Sequence, residues 1–532
     1  MKKWQPATLV QIHYHNRPGG VSAVMSRYAA AFANSVNDRQ CVNIVVCHAL
    51  RVSGISLAPA ELVHVPACGY RTFLNSRAYI SARDNLTRIL YSILSDKNLP
   101  LPICVIGHNL TLAKNPALTS AFAHCAQRCS QQFGIARFFS VIHDFAEDGR
   151  CNRMEQLAFL EHAGVTINND RYPPNGTIHY VGVSPGTSNV IQNAGGHCST
   201  LLNPLVNAAL PRLKDRDAQR LVYNRYAQKK RTLFASTLPL VLYPSRCIAR
   251  KNVIEAVLMT ALVYKSNLML GFPGKSFIQS GIFSSLNRIC NAYQLPVLFN
   301  GTKAFEPVDA QEGFPPQAYA CADMCMSTSI NEGFGYALYE PWLYGKALIG
   351  RKPLGLTPEA NVALPGLYER LPVPAAWVSL PRIVQQYHQA MTRCFGKAMV
   401  TQLYGNAAAF ARTVKKTFVK NGAIDFGCLN SSDQLTLLTM LLQSGKRRNE
   451  WERFCEQELM IIRTTCASAC GSTMLIADNR KKIQQRLTIR AFQKNFRQCF
   501  LQQSPVASSA VDSQIIARHF CNLSRFRLLL AE

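Results

Sequence analysis

No run of apolar residues in this 532-residue chain reaches the ~18 that a membrane-crossing helix needs. A transmembrane helix is therefore not expected. Met1-Lys2-Lys3 opens like a secretory signal, but Trp4-Gln5-Pro6 and His13-Tyr14-His15 interrupt any apolar core. The expected place is the cytoplasm, with a peripheral position at the inner membrane face left open. Acidic residues are scarce: 30 Asp and Glu stand against 58 Lys and Arg, a net charge of +28. Such a chain attracts polyanions, whether lipid headgroups, nucleic acid or anionic small molecules. No zinc-finger spacing and no RNA-binding sheet signature is present, so no specific nucleic-acid partner is expected. No internal repeat is evident. The 19 cysteines are scattered and read as mostly buried thiols of a reducing compartment. Cys125 with Cys129 and Cys466 with Cys470 are too isolated to argue a zinc site, so no metal site is expected. Hydrophobic residues at 48% and charged residues at 17% describe a globular chain.

The most informative stretch is Asn331-Glu332-Gly333-Phe334-Gly335-Tyr336-Ala337-Leu338-Tyr339-Glu340. It follows a strand-like run, Ala322 to Ser329. A helix-like run then ends in Tyr344-Gly345-Lys346, and Ala347-Leu348-Ile349 reads as the next strand. Gly333 and Gly335 let a ligand approach their backbone N–H groups. A helix starting near Phe334 aims free N–H groups and its positive dipole end at the same point. Glu340 lies eight residues beyond Glu332 and would meet another part of an elongated ligand. Carboxylates suit sugar and ribose hydroxyls. A plain turn followed by a dipole-matched helix start would show the same short pattern; the flanking strands favour a nucleotide-sugar site.

A second stretch, Leu240-Val241-Leu242-Tyr243-Pro244-Ser245-Arg246-Cys247-Ile248-Ala249-Arg250-Lys251-Asn252, reads as strand, loop and helix, with the helix from Val253 to Tyr264. Arg246 and Lys251 are fixed cations suited to a diphosphate, although solvated loop charge is common in so basic a chain. Gly274-Lys275-Ser276 ends like a phosphate-binding P-loop, but Met269 stands where its first glycine belongs. Together the two stretches resemble the retaining glycosyltransferases of family 4, the group 1 glycosyltransferases, over roughly Leu240 to Arg351. Ser245 replaces the usual glycine before the arginine, and Ala347 the usual proline after Gly345-Lys346. The resemblance implies a GT-B fold: an α/β protein of two Rossmann-like domains with parallel sheets facing a cleft. It also implies sugar transfer from a nucleotide donor with retention, needing no bound metal and no cofactor beyond the co-substrate.

The amino-terminal half agrees. Ala7 to His13 reads as a strand and Ser22 to Ala33 as a helix, with Gly19-Gly20 between them. That is a Rossmann-like opening without the GxGxxG of NAD binding. His13 and His15 are read as facing opposite sides of the strand, not as chelating one metal. Further strands are expected at Cys41 to Cys47, Ile103 to Gly107, Phe138 to Ile142 and Thr177 to Ser184. They bring His108, Asn109, His143, Asp144 and Ser184 to one sheet edge, where ligands of open α/β sheets bind.

The expected domains are residues 1–210, a linker 211–232, a second domain 233–445, and a basic, helical extension 446–532. Within the extension, Arg480 to Arg497 reads as one basic amphipathic helix, either on a membrane or polyanion or solvated with one face on the protein. Helices near Tyr404 to Lys420 and Gln434 to Leu442 would pack back on the first domain. Asp215-Arg216-Asp217 resembles an Asp-x-Asp metal motif but lies in the linker and is discounted. By the resemblance, Arg246 and Lys251 hold the donor diphosphate, and Glu332, Gly333, Phe334 and Gly335 orient the donor sugar. His143 meets the sugar from the first domain. Gly19 and Gly20 lie near the donor phosphates or the acceptor, and Glu340 binds the ribose. Asn109, Asp144 and Glu147 are candidates for a carbohydrate or lipid-linked acceptor. The alternative is an inactive GT-B scaffold that binds a polyanion or serves as a transferase subunit.

Overall fold

The computed structural model describes residues 4–17, 19–35, 41–50, 57–130, 136–173, 176–205, 216–230, 237–271, 277–305, 315–502 and 510–532. Gly274-Lys275-Ser276 and Asp215 lie outside them. Two all-parallel sheets organise the chain. The first comprises β1 (Thr8–His15), β2 (Val42–His48), β3 (Glu61–His64), β4 (Ile103–His108), β5 (Ala136–Ile142), β6 (Ile178–Gly182) and β7 (Cys198–Thr200). Its order is β3-β2-β1-β4-β5-β6-β7. The second comprises β8 (Leu240–Tyr243), β9 (Asn267–Leu270), β10 (Val297–Leu298), β11 (Met324–Ser327), β12 (Leu348–Arg351) and β13 (Leu367–Tyr368), in the order β10-β9-β8-β11-β12-β13. A small antiparallel sheet joins β14 (Pro372–Pro374), β15 (Val419–Lys420) and β16 (Ala423–Asp425).

Parallel strands must be covered on both faces, so central ones read as unbroken apolar runs. Leu240, Val241, Leu242 and Tyr243 are all fully buried. The edge strands β3, β7 and β13 are short and lack that signature, which is why sequence did not reveal them. In each sheet the strand order reverses beside the first strand, between β1 and β4 and between β8 and β11. The loops leaving these strands carry the site, as the topology of such sheets dictates. The helix expected from Val253 to Tyr264 forms as α-helix Val253–Leu258 followed by π-helix Met259–Val263.

The carboxy-terminal segment is part of the core. Phe492, Phe496 and Phe500 each meet the Tyr28 ring of the helix Gly20–Ala33 at 5.3–5.6 Å, and Phe500 meets Phe139 of β5 at 4.9 Å. One buried cluster holds these rings with Leu9 and Ile106 of the first sheet and Leu240 and Met269 of the second. The single helix expected over Arg480 to Arg497 is two, Thr473–Arg486 and Ile489–Phe496. Thr488 starts the second by accepting from the Ala491 N–H.

One expectation is corrected here. Helices Ala407–Phe418 and Ser431–Gln443 belong to the second domain's core, not the first domain: Phe410, Val414, Leu437 and Leu441 share one buried cluster with Val241, Leu268 and Ile349 of the second sheet. A helix of the second domain that does reach the first is Leu380–Phe395, where Arg393 pairs with Glu155 at 2.7 Å. Most cysteines are buried thiols, as expected. Cys151 and Cys394 form a disulfide across the same contact, and the other 17 are free.

Candidate active site

The loops after β8 and β11 are stitched together before any ligand is considered. The Ile330 N–H donates to the Arg250 carbonyl at 2.9 Å, and the Thr328 hydroxyl to the Asn252 carbonyl at 2.8 Å. The Tyr243 hydroxyl donates to the Lys251 carbonyl. The Lys251 ammonium forms an ion pair with Glu332. Asn252 adopts the left-handed conformation, φ +55°, which turns the chain into the following helix. Its amide donates to Glu255 at 2.7 Å. Beneath it, Arg351 is held by Glu255 and Asp425 with four bonds of 2.7–2.9 Å. This buried network anchors the loop.

The opposite wall comes from the first sheet. The Asn109 side-chain oxygen accepts from the His143 and Asp144 N–H groups at 3.3 and 3.1 Å. Asn109 therefore shapes the loop after β5 and is buried. Its candidacy as an acceptor ligand is corrected to that of a positioning residue. Asp144 lies 3.6 Å from Arg150. Glu147 is corrected outright: its side chain is 2% exposed and pairs with Arg171, itself fully buried, at 2.9 Å. A carboxylate so enclosed cannot meet a ligand in the cleft. His13 and His15 share a side of β1, with rings 5.6 Å apart, because residues two apart in a strand face the same way.

The walls meet at named atoms. The Asn331 amide donates to Asp148 at 2.6 Å, and Arg250 donates to the Asn331 carbonyl at 3.2 Å. A Cβ on Gly333 would stand 2.7 Å from the His143 carbonyl oxygen, so only glycine allows this approach. Gly335, at φ +75°, starts the helix Tyr336–Leu343, and a Cβ there would stand 2.9 Å from Leu338. Around Gly19 and Gly20, by contrast, an added Cβ meets no heavy atom within 4 Å. Their backbone is open to a ligand.

Charge is uneven across the site. Burial lowers the Lys251 ammonium to about 8 against the pull of Glu332. Burial opposes ionisation of Glu332 and Asp144, but Lys251 and Arg250 beside Glu332, and Arg150 and Arg250 beside Asp144, hold both carboxyls below their usual range. Burial brings His143 down to about 4, so its ring is neutral at pH 7. Its Nε2 has no hydrogen-bond partner among the described residues. Burial lifts Asp148 to about 6. Arg246 is exposed and makes no ion pair among the described residues, leaving its guanidinium free for an anion.

A cavity of about 240 Å³ lies between the walls, lined by His143, Asp148, Ser184, Glu332, Glu359 and Arg525, among others. It brings together the candidates His143, Asp144, Glu332, Gly333 and Phe334. Arg246, Lys251 and Glu340 do not line it. Glu340 accepts from the Tyr319 hydroxyl at 2.9 Å, on the far side of the helix start. Sequence reasoning missed Arg150, Glu359 and the carboxy-terminal Arg525. Arg525 is distant in the chain from the recognised stretches, whereas Arg150 follows Asp144 by six residues and Glu359 follows Arg351 by eight, outside any recognised pattern.

No protein-family model matches the chain. Mannosylglucosyl-3-phosphoglycerate synthase of Petrotoga mobilis is 23% identical over 392 residues, 72% of each chain. Among solved structures, sucrose-phosphate synthase from Thermosynechococcus elongatus superposes with a TM-score of 0.51 at 14% identity, covering 92% of this chain and 97% of that one. The fold is GT-B. Its two parallel sheets, cleft and carboxy-terminal helices are those of that architecture, with strand order and switch points as described above.

Proposed function

We propose that the protein is a glycosyltransferase that moves a sugar from a nucleotide-sugar donor to an acceptor hydroxyl with retention of configuration. The observation that carries this reading is that Glu332, paired with Lys251 behind it, lines the same cleft as His143 of the other wall, with a free Arg246 on the same loop as Lys251. Arg246 and Lys251 would take the donor diphosphate, Lys251 exchanging Glu332 for phosphate oxygens. Two fixed cations then stabilise the charge that grows on the diphosphate as the glycosidic bond breaks. Glu332 and the Gly333–Gly335 backbone would orient the sugar, with the neutral His143 ring donating or accepting one hydrogen bond. Glu340 would read the ribose, and the open Gly19-Gly20 backbone would face the phosphates. In this reading a donor phosphate oxygen takes the acceptor proton, so no protein nucleophile is assigned. The Petrotoga relative is named for a glycosylated phosphoglycerate. A phosphorylated acceptor is accordingly the first to test here, and the net charge of +28 suits it in sign.

The test begins with melting temperatures in UDP-, GDP-, ADP- and CMP-sugars, since a ligand of the native state raises them. The donor so found is used for turnover. Arg246→Ala and Lys251→Ala should each lower kcat by about a hundredfold or more, with melting temperatures close to that of the parent. Near-normal turnover in both variants would sink the assignment.

A further inference from the structure

The helix Glu456–Gly471 packs Leu459, Ile462, Cys466 and Ala469 inward. Its opposite face is bare. Met460 is 59% exposed and Ile461 57%, and Thr464, Ala467 and Ser468 continue the same uncharged face toward Gly471. One residue later the chain bends by 70° into the next helix. Met474 in its first turn is 81% exposed. Lys481, two turns on, shares the face of Met474. Largely exposed apolar side chains, Met460 and Ile461 in the second turn of the first helix and Met474 in the first turn of the next, mark a contact surface along this helix pair.

Charge identifies the partner. From residue 459 to 502 the sequence holds eight Lys and Arg against one acidic residue, Asp478, which is paired with Lys482 at 2.7 Å. Arg480, Lys481, Arg486, Arg490 and Lys494 are exposed and carry no ion pair among the described residues. Glu456 and Glu458 sit in the first turn of the first helix, Glu456 one turn before Met460. An uncharged, aliphatic face running into a basic border is the pattern of a surface that enters the headgroup layer of an anionic bilayer. A second copy of this chain would bring two basic borders together, which repel. Single-stranded nucleic acid stacks on exposed aromatic rings, whereas the bare residues here are methionine and isoleucine.

We propose that the helix Glu456–Gly471 and the start of the helix Thr473–Arg486 form a docking surface for an anionic lipid bilayer. Met460, Ile461 and Met474 enter the interface, and Arg480 and Lys481 meet the headgroups. The proposal is independent of the transferase reading. It concerns a face that lines no part of the cleft.

Full-length protein is sedimented with phosphatidylcholine vesicles containing about one-third phosphatidylglycerol and with pure phosphatidylcholine vesicles. Parent protein should pellet with the first and not the second. The triple variant Met460→Asp, Ile461→Asp, Met474→Asp and the double variant Arg480→Glu, Lys481→Glu should each bind the anionic vesicles about tenfold more weakly. Their melting temperatures should be unchanged, because the substituted side chains are exposed. Failure of the parent to bind anionic vesicles overturns the proposal, as does a triple variant that binds like the parent. So does capture by homopolymeric RNA with vesicles ignored, or an oligomer that the triple variant dissolves without any vesicle binding.

Discussion

At the scale of single residues, function and close packing meet at a glycine and a histidine. Gly333 is where the second domain touches the His143 carbonyl, and a methyl group there would have to displace backbone. Gly333→Ala should therefore hold the walls apart. Donor turnover is expected to drop at least about tenfold while the melting temperature stays near that of the parent, a split read by kinetics beside a thermal melt. His143 makes a second prediction. Its folded pKa is about 4, against 6.5 when free. Between these values the unfolded chain binds the additional proton, so stability is lost as pH falls from 6.5 to 4. His143→Gln should reduce that loss by about 1–3 kcal/mol, seen as a shallower slope of unfolding free energy against pH. An identical slope would mean that the ring is not held neutral by burial. Glu147 marks what residue-level reading cannot do. It was a candidate beside Asp144, yet its side chain turns to Arg171, while the next residue, Asp148, turns to Asn331 in the cleft.

At the scale of elements, the loops after β8 and β11 depend on what lies beneath them. Arg351 leaves β12 and joins Glu255 to Asp425, with Tyr368 donating to Glu255 at 2.7 Å. Removing one partner of a buried ion network strands the others. Arg351→Ala is expected to cost about 3–5 kcal/mol in denaturant unfolding. Because Asn252 bonds both Glu255 and Gln434, donor affinity should weaken with it. A variant that kept full stability would show that Glu255 and Asp425 find other partners. The strands and helices that frame these loops were legible because their periodicity is local: an apolar run such as Leu240–Tyr243, a glycine loop, then a helix. The network was not. Glu255, Arg351 and Asp425 are far apart in sequence, and no spacing rule joins them.

At the scale of the whole molecule, the carboxy-terminal segment links the two sheets. Phe496 is fully buried in the cluster shared by both halves. Phe496→Ala should destabilise by about 3–5 kcal/mol and lower a single melting transition for both domains together. If instead only one of two separable transitions moved, the halves would be independent and the segment would belong to one of them. The Cys151–Cys394 disulfide and the Arg393–Glu155 pair tie the halves at a second place.

The sequence by itself determined the two parallel sheets and the loops that bear Arg246, Lys251, Glu332 and Gly333. Strand, loop and helix signals lie within a few neighbouring residues, and backbone chemistry reads them directly. Only the tertiary structure decided which residues face each other. It placed His143 against Gly333, withdrew Glu147 and Asn109 from the cleft, and brought Arg525 to its wall. It also turned a basic tail into a clamp between the domains. Those outcomes follow from burial and charge pairing between segments far apart in the chain. Such pairings are settled only when the whole chain has packed.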